Sequence, residues 1–212
     1  MNIAIIGASG FVGSRILAEA LARRHEVTAL VHNPAKLAPA KGLHPKKCDV
    51  TDYATLVEQL KGFDVVISAF SGHAQQDIYG YYMQGIRNII AAVKQAGVPR
   101  FLVVGGAGSL EVAPGKRLID TPEFPEPWKP TARGAYDALQ LLRGEPSLDW
   151  CMLTPAAIIE PGRRTGQFRL GTDQLLVDGQ GQSRLSLEDY AVAMLDEVEN
   201  PTHSRSRFTA AY

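Results

Sequence analysis

Gly7-Ala8-Ser9-Gly10-Phe11-Val12-Gly13 follows directly on the apolar run Ile3-Ala4-Ile5-Ile6. The reading of this stretch decides the fold. An isoleucine-rich run reads as a strand, the glycines as a tight turn, and the apolar spacing from Phe11 to Leu21 as a helix. A helix start gathers unpaired backbone N–H groups at the positive end of its dipole, which suits a phosphate. Gly7 permits the sharp turn, Gly10 lets a pyrophosphate approach the backbone, and Gly13 lets the helix pack close to the strand. The spacing is G-x-x-G-x-x-G rather than G-x-G-x-x-G, so the flanking strand and helix carry much of the weight. The expectation is a dinucleotide cradle made by Gly7, Ala8, Ser9, Gly10, Phe11, Val12 and Gly13. The alternative is an ordinary strand-to-helix turn.

Working outward, strands and helices alternate. Strands are expected at 2–6, 26–31, 43–48, 64–68, 100–104 and 149–154, and helices at 11–23, 52–60, 79–96 and 132–143. Gly97 closes the long helix, with Pro99 beyond it, and Ser186 is the candidate N-cap of a last helix. Strands that alternate with helices give a parallel sheet covered on both faces. Runs such as Val65-Val66-Ile67 suit strands buried on both sides. Two segments break the rhythm and are read as substrate-side loops. Residues 105–131 leave the C-terminal edge of the fifth strand, where open α/β sheets place ligands, and Phe124 and Trp128 there can cover a pocket or simply pack. Residues 160–178 carry Arg163, Arg164 and Arg169, with a short strand expected at 174–177; the arginines suit a solvated face or an anionic substrate.

The chain of 212 residues has 22 Lys+Arg against 22 Asp+Glu, which argues against nucleic acid or an anionic membrane as partner. Its length fits one domain, residues 1–212, as a monomer or homodimer. Cys48 and Cys151 are far apart and in apolar surroundings, so buried free thiols and a reducing cytoplasm are expected. No apolar run approaches the roughly 18 residues of a membrane span, and the opening strand and turn do not read as a signal peptide. The five histidines are dispersed, and no metal site is expected.

In dinucleotide folds an acid about 20 residues past the glycine turn holds the adenosine ribose and favours NAD. Here the second strand ends at His32-Asn33 with Lys36 beyond and no carboxylate. A 2′-phosphate meets no repulsion there, so NADP(H) is favoured over NAD(H). Asp49 and Val50 are placed at the adenine, and Ala69, Phe70 and Ser71 at the ribose and pyrophosphate.

Ile6 to Ser14, Val31-His32-Asn33-Pro34-Ala35-Lys36-Leu37 and Cys48-Asp49-Val50 resemble the atypical short-chain dehydrogenases. Val103 to Leu110, Leu148-Asp149-Trp150, Thr154-Pro155-Ala156 and Ser186 to Ala191 narrow this to small NAD(P)H-binding proteins labelled, by inference, NADH-flavin reductases. Biliverdin reductase B and the NmrA-like proteins are more distant relatives. The resemblance covers essentially the whole chain. It implies an α/β, Rossmann-like, doubly wound parallel sheet, a single domain with a small C-terminal substrate-side extension. Pro155 and Ala156 follow the sixth strand at the ligand edge, where their backbone is placed to fix the nicotinamide carboxamide, and Gly106 is a further candidate cofactor contact. One departure matters. Larger relatives use Tyr-x-x-x-Lys for proton transfer, and no tyrosine here has lysine four residues later; Tyr136 is followed by Gln140. Hydride transfer to a flavin does not need that dyad, only proximity, orientation and a dry pocket. The expectation is an NAD(P)H-dependent oxidoreductase acting on a small planar acceptor, with flavin as substrate rather than bound cofactor. Ser109 is the candidate hydrogen-bond donor and Tyr136 the candidate wall, each with a structural alternative as loop cap or packed helix residue. A non-catalytic NADP(H) sensor and a sugar-nucleotide epimerase or dehydratase are the other readings.

Overall fold

The computed structural model describes residues 1–212. In chain order the strands are β1 (Asn2–Ile6), β2 (Glu26–Val31), β3 (Leu43–Lys47), β4 (Val65–Ser68), β5 (Arg100–Val104), β6 (Glu111–Ala113), β7 (Lys116–Arg117), β8 (Trp150–Thr154), β9 (Ile158–Glu160), β10 (Arg169–Gly171), β11 (Arg184–Ser186) and β12 (Ser206–Ala211). The α-helices are α1 (Gly13–Ala22), α2 (Tyr53–Leu60), α3 (Ile78–Gln95), α4 (Lys129–Arg143) and α5 (Leu187–Glu199). Eight strands form one sheet in the order β10-β12-β8-β5-β4-β1-β2-β3. Every pair in it is parallel except β10 with β12. This is the expected doubly wound α/β sheet.

Alternation along each strand splits the core in two. Ile3, Ile5, Leu153, Phe208 and Ala210 face α1 and α5. Ala4, Ile6, Val66, Phe101 and Met152 face α2, α3 and α4. Each fully buried aliphatic or aromatic side chain contributes about 1.5–3 kcal/mol, so the two layers fix the sheet between them. Asp52, Asp77 and Ser186 cap α2, α3 and α5, accepting from the N–H groups of Thr55, Gly80 and Asp189 at 3.1, 2.8 and 3.0 Å. Cys48 and Cys151 are buried and free, and burial pushes the Cys48 thiol up to about 11. No helix is long and apolar enough to cross a membrane.

Several expectations need correction. α1 starts at Gly13, because residues 11 and 12 belong to the turn. α4 starts three residues early, at Lys129, with Pro130 in its first turn, where a missing N–H costs nothing. The strand expected at 174–177 is absent. Gln174 makes one isolated bridge to Glu111, and the strand of that segment is β10. β12 was not expected at all, yet it extends the sheet parallel to β8. Residues 105–131 are not structureless: they hold the β6–β7 hairpin and three short 3-10 turns.

Candidate functional site

The strand order reverses between β1 and β4, and the crevice above the C-terminal ends of these strands is where such sheets bind ligands. The glycine turn forms its floor. The Gly7 N–H donates to Leu30 O at 2.9 Å and the Gly10 N–H to Gly7 O at 3.0 Å. The N–H groups of Ser9, Phe11, Val12 and Gly13 find no acceptor in the protein. Unlike α2, α3 and α5, α1 has no capping side chain, and its first turn carries no acid. Gly7 has φ +80, and a Cβ there would stand 2.7 Å from Ala69 O. A Cβ on Gly13 would stand 2.1 Å from Gly7 O. Neither position admits a side chain without moving backbone. At Gly10 the nearest atom to a Cβ is Gly7 O at 3.2 Å, which leaves the outer side open to a ligand. Ala8 is buried, while Ser9 and Phe11 are exposed beside the turn. Free N–H groups, an uncapped dipole and close backbone access fit a pyrophosphate.

At the end of β2, His32, Asn33 and Lys36 are exposed. Asn33 Oδ1 accepts from the Ala35 N–H at 3.1 Å and so caps the turn Pro34–Lys36, leaving its NH2 as the free donor. Asp49, at the end of β3, accepts from the Thr51 N–H at 2.9 Å and hydroxyl at 2.7 Å. These bonds, with His32 nearby, hold its carboxyl below the usual range. Val50 is buried, and its carbonyl accepts from Asn88 Nδ2 at 3.0 Å. Past β4, Ala69 backs Gly7, Phe70 stacks on Tyr82 with centroids 6.0 Å apart, and Ser71 is exposed.

On the other side of the crevice, Gly106 follows β5, and buried Pro155 and Ala156 follow β8. Ser109 is buried. Its hydroxyl donates to Gly106 O at 2.9 Å and accepts from Arg207 Nη1 at 3.0 Å. In this geometry its proton is committed to the loop and not offered to an acceptor. Tyr136 is half-buried, with the Arg117 guanidinium 4.4 Å above its ring. It lines a cavity of about 520 Å³ shared with Arg143, Asp173 and Arg207. Phe124 packs on Gly108, whose Cβ would meet Phe124 Cζ at 3.3 Å. Trp128 is exposed, edge-on to His73 at 5.8 Å, and His73 Nε2 lies 3.3 Å from the Thr131 hydroxyl. Thus the loops after β4 and before α4 touch across the crevice.

Of the three arginines in 160–178, Arg164 grips Glu19 on α1 at 2.8 and 2.7 Å, and Arg169 donates to the carbonyls of Val177 and Tyr212. Only Arg163 is left for solvent or ligand. Asp189, in the first turn of α5, is fully buried and accepts from Thr165, Gly166 and Tyr212. Sequence reasoning missed Arg117, Arg143, Asp173 and Arg207. Arg117 pairs locally with Asp120, but the pairings among Arg143, Asp173 and Arg207 join segments at least 30 residues apart, and no local spacing signals them. No group of three His, Cys, Asp or Glu side chains is placed to hold a metal.

Fold and crevice define a nicotinamide-dinucleotide-binding protein of the Rossmann-like class. The family model described as NAD(P)H-binding matches residues 7–198, and the chain belongs to that family. The chain is similar to the uncharacterized protein YwnB of Bacillus subtilis, with 43% identity over 99% of this chain and 97% of that one. It is similar to a Bacteroides thetaiotaomicron structure named a "putative epimerase", with 48% identity, TM-score 0.93, and coverage of 100% and 96%. It is also similar to the Streptococcus pneumoniae "putative NADH-flavin reductase", with 36% identity, TM-score 0.88, and coverage of 100% and 99%.

Proposed function

We propose that the protein is an NADPH-preferring reductase that passes a hydride directly to a flavin or a related planar acceptor. The observation that carries the reading is the uncapped start of α1, with four free N–H groups over Gly10. The turn Gly7–Gly13 binds the pyrophosphate; His32, Asn33 and Lys36 receive the 2′-phosphate; Asp49 and Val50 border the adenine. Ala69, Phe70 and Ser71 line the ribose side, and Gly106, Pro155 and Ala156 shape the nicotinamide end. The bound nicotinamide supplies the hydride. The chain orients the two rings and excludes water from them, and solvent supplies the acceptor's proton. The acceptor is a small molecule. The protein acts as a monomer or homodimer, and its two buried thiols suit a reducing cytoplasm.

Two arrangements speak against carbonyl chemistry of the epimerase or dehydratase kind: Gln140 stands where the dyad needs lysine, and Tyr136 faces the arginine-lined cavity. A second reading, a non-catalytic NADP(H) sensor, is favoured by the commitment of the Ser109 hydroxyl to the loop. The test mixes protein, NADPH or NADH, and FMN or a quinone, and follows absorbance at 340 nm. Turnover above background, faster with NADPH, is the expected result. Tight NADPH binding without oxidation by any flavin or quinone transfers support to the sensor.

A further inference from the structure

On the far side of Ser109 lies the cavity of about 520 Å³. Guanidinium groups from three separate elements converge on it: Arg117 of β7, Arg143 of α4 and Arg207 of β12. Arg207 is the unusual member, because its side chain is 3% exposed. A guanidinium so far from water is held only where carboxylates and hydrogen bonds compensate it. Its partner is Asp173. Asp173 Oδ1 accepts from Arg207 Nε at 2.9 Å, from Arg207 Nη2, and from Arg143 Nη2 at 3.1 Å. Asp173 Oδ2 receives nothing from the protein. The Asp173 backbone is pinned, since its carbonyl accepts from the Glu111 N–H at 2.8 Å. Its side chain is 44% exposed. The carboxylate can therefore rotate into solvent without moving the loop.

A carboxylate of the chain already sits between two arginines, at the edge of a space far larger than one carboxylate fills. We infer that this cavity binds an organic carboxylate, and that Asp173 is the internal carboxylate which the ligand displaces. The wall indicates the body of the ligand. Arg117 lies 4.4 Å over the half-buried Tyr136 ring, and this pair of planar groups suits a conjugated or aromatic body. Charge explains the exchange. With Asp173 in place, three arginines face Glu111, Asp120 and Asp173, and the cavity is balanced. With Asp173 turned out, one positive charge is left, and a ligand carboxylate restores the balance. An intramolecular carboxylate competes at high effective concentration, so binding is weak until that competitor is weakened. The site stands independently of hydride transfer, although Ser109 connects it to Gly106 at the crevice.

The test is calorimetric titration of the full chain with 2-naphthoate and with its neutral amide. Wild type binds the naphthoate weakly. Asp173→Asn, whose side-chain oxygen can still accept from Arg207, binds it at least tenfold more tightly. Adding Arg143→Gln removes at least fivefold of that affinity. The amide binds to neither protein. The inference is overturned if folded Asp173→Asn binds naphthoate no more tightly than wild type, or if the amide binds as well as the acid. Should Asp173→Asn not fold, Arg143→Gln alone decides, its side chain being 46% exposed: unchanged naphthoate binding overturns the inference.

Discussion

Alanine at Gly10 separates cofactor binding from folding. Its Cβ would meet only Gly7 O, at 3.2 Å, so the turn needs to give by a few tenths of an ångström. A surface change of this kind alters stability by about 0.5 kcal/mol. The new methyl stands beside the free N–H groups of Ser9, Phe11, Val12 and Gly13. A hydrogen bond to a charged group contributes roughly 1.5–3 kcal/mol. Losing one such bond to a pyrophosphate raises the NADPH Kd by about 10- to 150-fold, at about 1.4 kcal/mol per factor of ten. Gly13→Ala is the contrasting control. Its Cβ would lie 2.1 Å from Gly7 O, a backbone atom, so the chain has to move. Overpacking costs about 1–3 kcal/mol, which for a domain of this size lowers Tm by roughly 2–12 °C. The assay pairs calorimetry with NADPH and a thermal melt without ligand. Gly10→Ala that melts like wild type and binds NADPH with unchanged affinity would refute the placement of the pyrophosphate, and with it the functional reading.

At the adenosine end, His32→Asp places a carboxylate near the 2′-phosphate; repulsion at an exposed site is worth about 1–1.5 kcal/mol after screening. NADPH affinity should fall about tenfold while NADH affinity holds, and equal losses for both would remove His32 from the phosphate site. Ser109→Ala takes an acceptor from buried Arg207, so stability should drop by about 1–2 kcal/mol with kcat for a flavin or quinone unchanged; a large loss of kcat in a stable variant would restore Ser109 as a donor. Glu197→Gln weakens the pair with buried Arg100, whose Nη2 donates to Glu197 Oε1 at 2.6 Å. Because Asp149 still accepts from Arg100 Nη1 at 2.7 Å, the loss belongs near the lower end of the 3–5 kcal/mol range, about 3 kcal/mol, read by urea unfolding. Burial pushes the Glu197 carboxyl up, but hydrogen bonds from His203 and Thr202 outweigh it and leave it below its usual 4.5. Its stabilisation is thus complete above that value and is lost as pH falls through the folded-state value. Unfolding midpoints should decline below 4.5 less steeply in Glu197→Gln than in wild type.

What the sequence makes legible is local. Gly7, Gly13 and the run Ile3–Ile6 mark the first strand, turn and helix because their steric demands fall within a dozen residues. Asp52 and Ser186 announce helix starts for the same reason, each capping an N–H three residues on. β12 escapes because Ser206, Arg207 and Thr209 interrupt its apolar residues, and the partners of Arg207 come from the rest of the fold. Arg207 Nη1 reaches Ser109, 98 positions away, and Arg207 Nε reaches Asp173, 34 away. Arg164 shows the same limit. In sequence it is one of three loop cations; in the fold it is held by Glu19, 145 positions distant.

The long loop after β5 bears most directly on the chemistry. Here the loop lies directly on α4. A Cβ at Gly106 would come 2.8 Å from the Ala135 Cβ, and one at Gly108 would come 2.6 Å from the Ala132 Cβ. Small residues on both sides of this contact let the loop backbone pack directly on the helix. A lysine at position 135 would have to displace the Gly106 loop, whereas the dyad itself is missing because Gln140 stands four residues after Tyr136. A chemistry that asks the protein only to align two rings and keep water out is compatible with such a contact, whereas one that needs a charged side chain above the nicotinamide is not. Ala135→Lys should accordingly lower stability by about 1–3 kcal/mol, read by urea unfolding. An Ala135→Lys protein as stable as wild type would show that the loop gives way, and would refute the tight contact between the loop and α4.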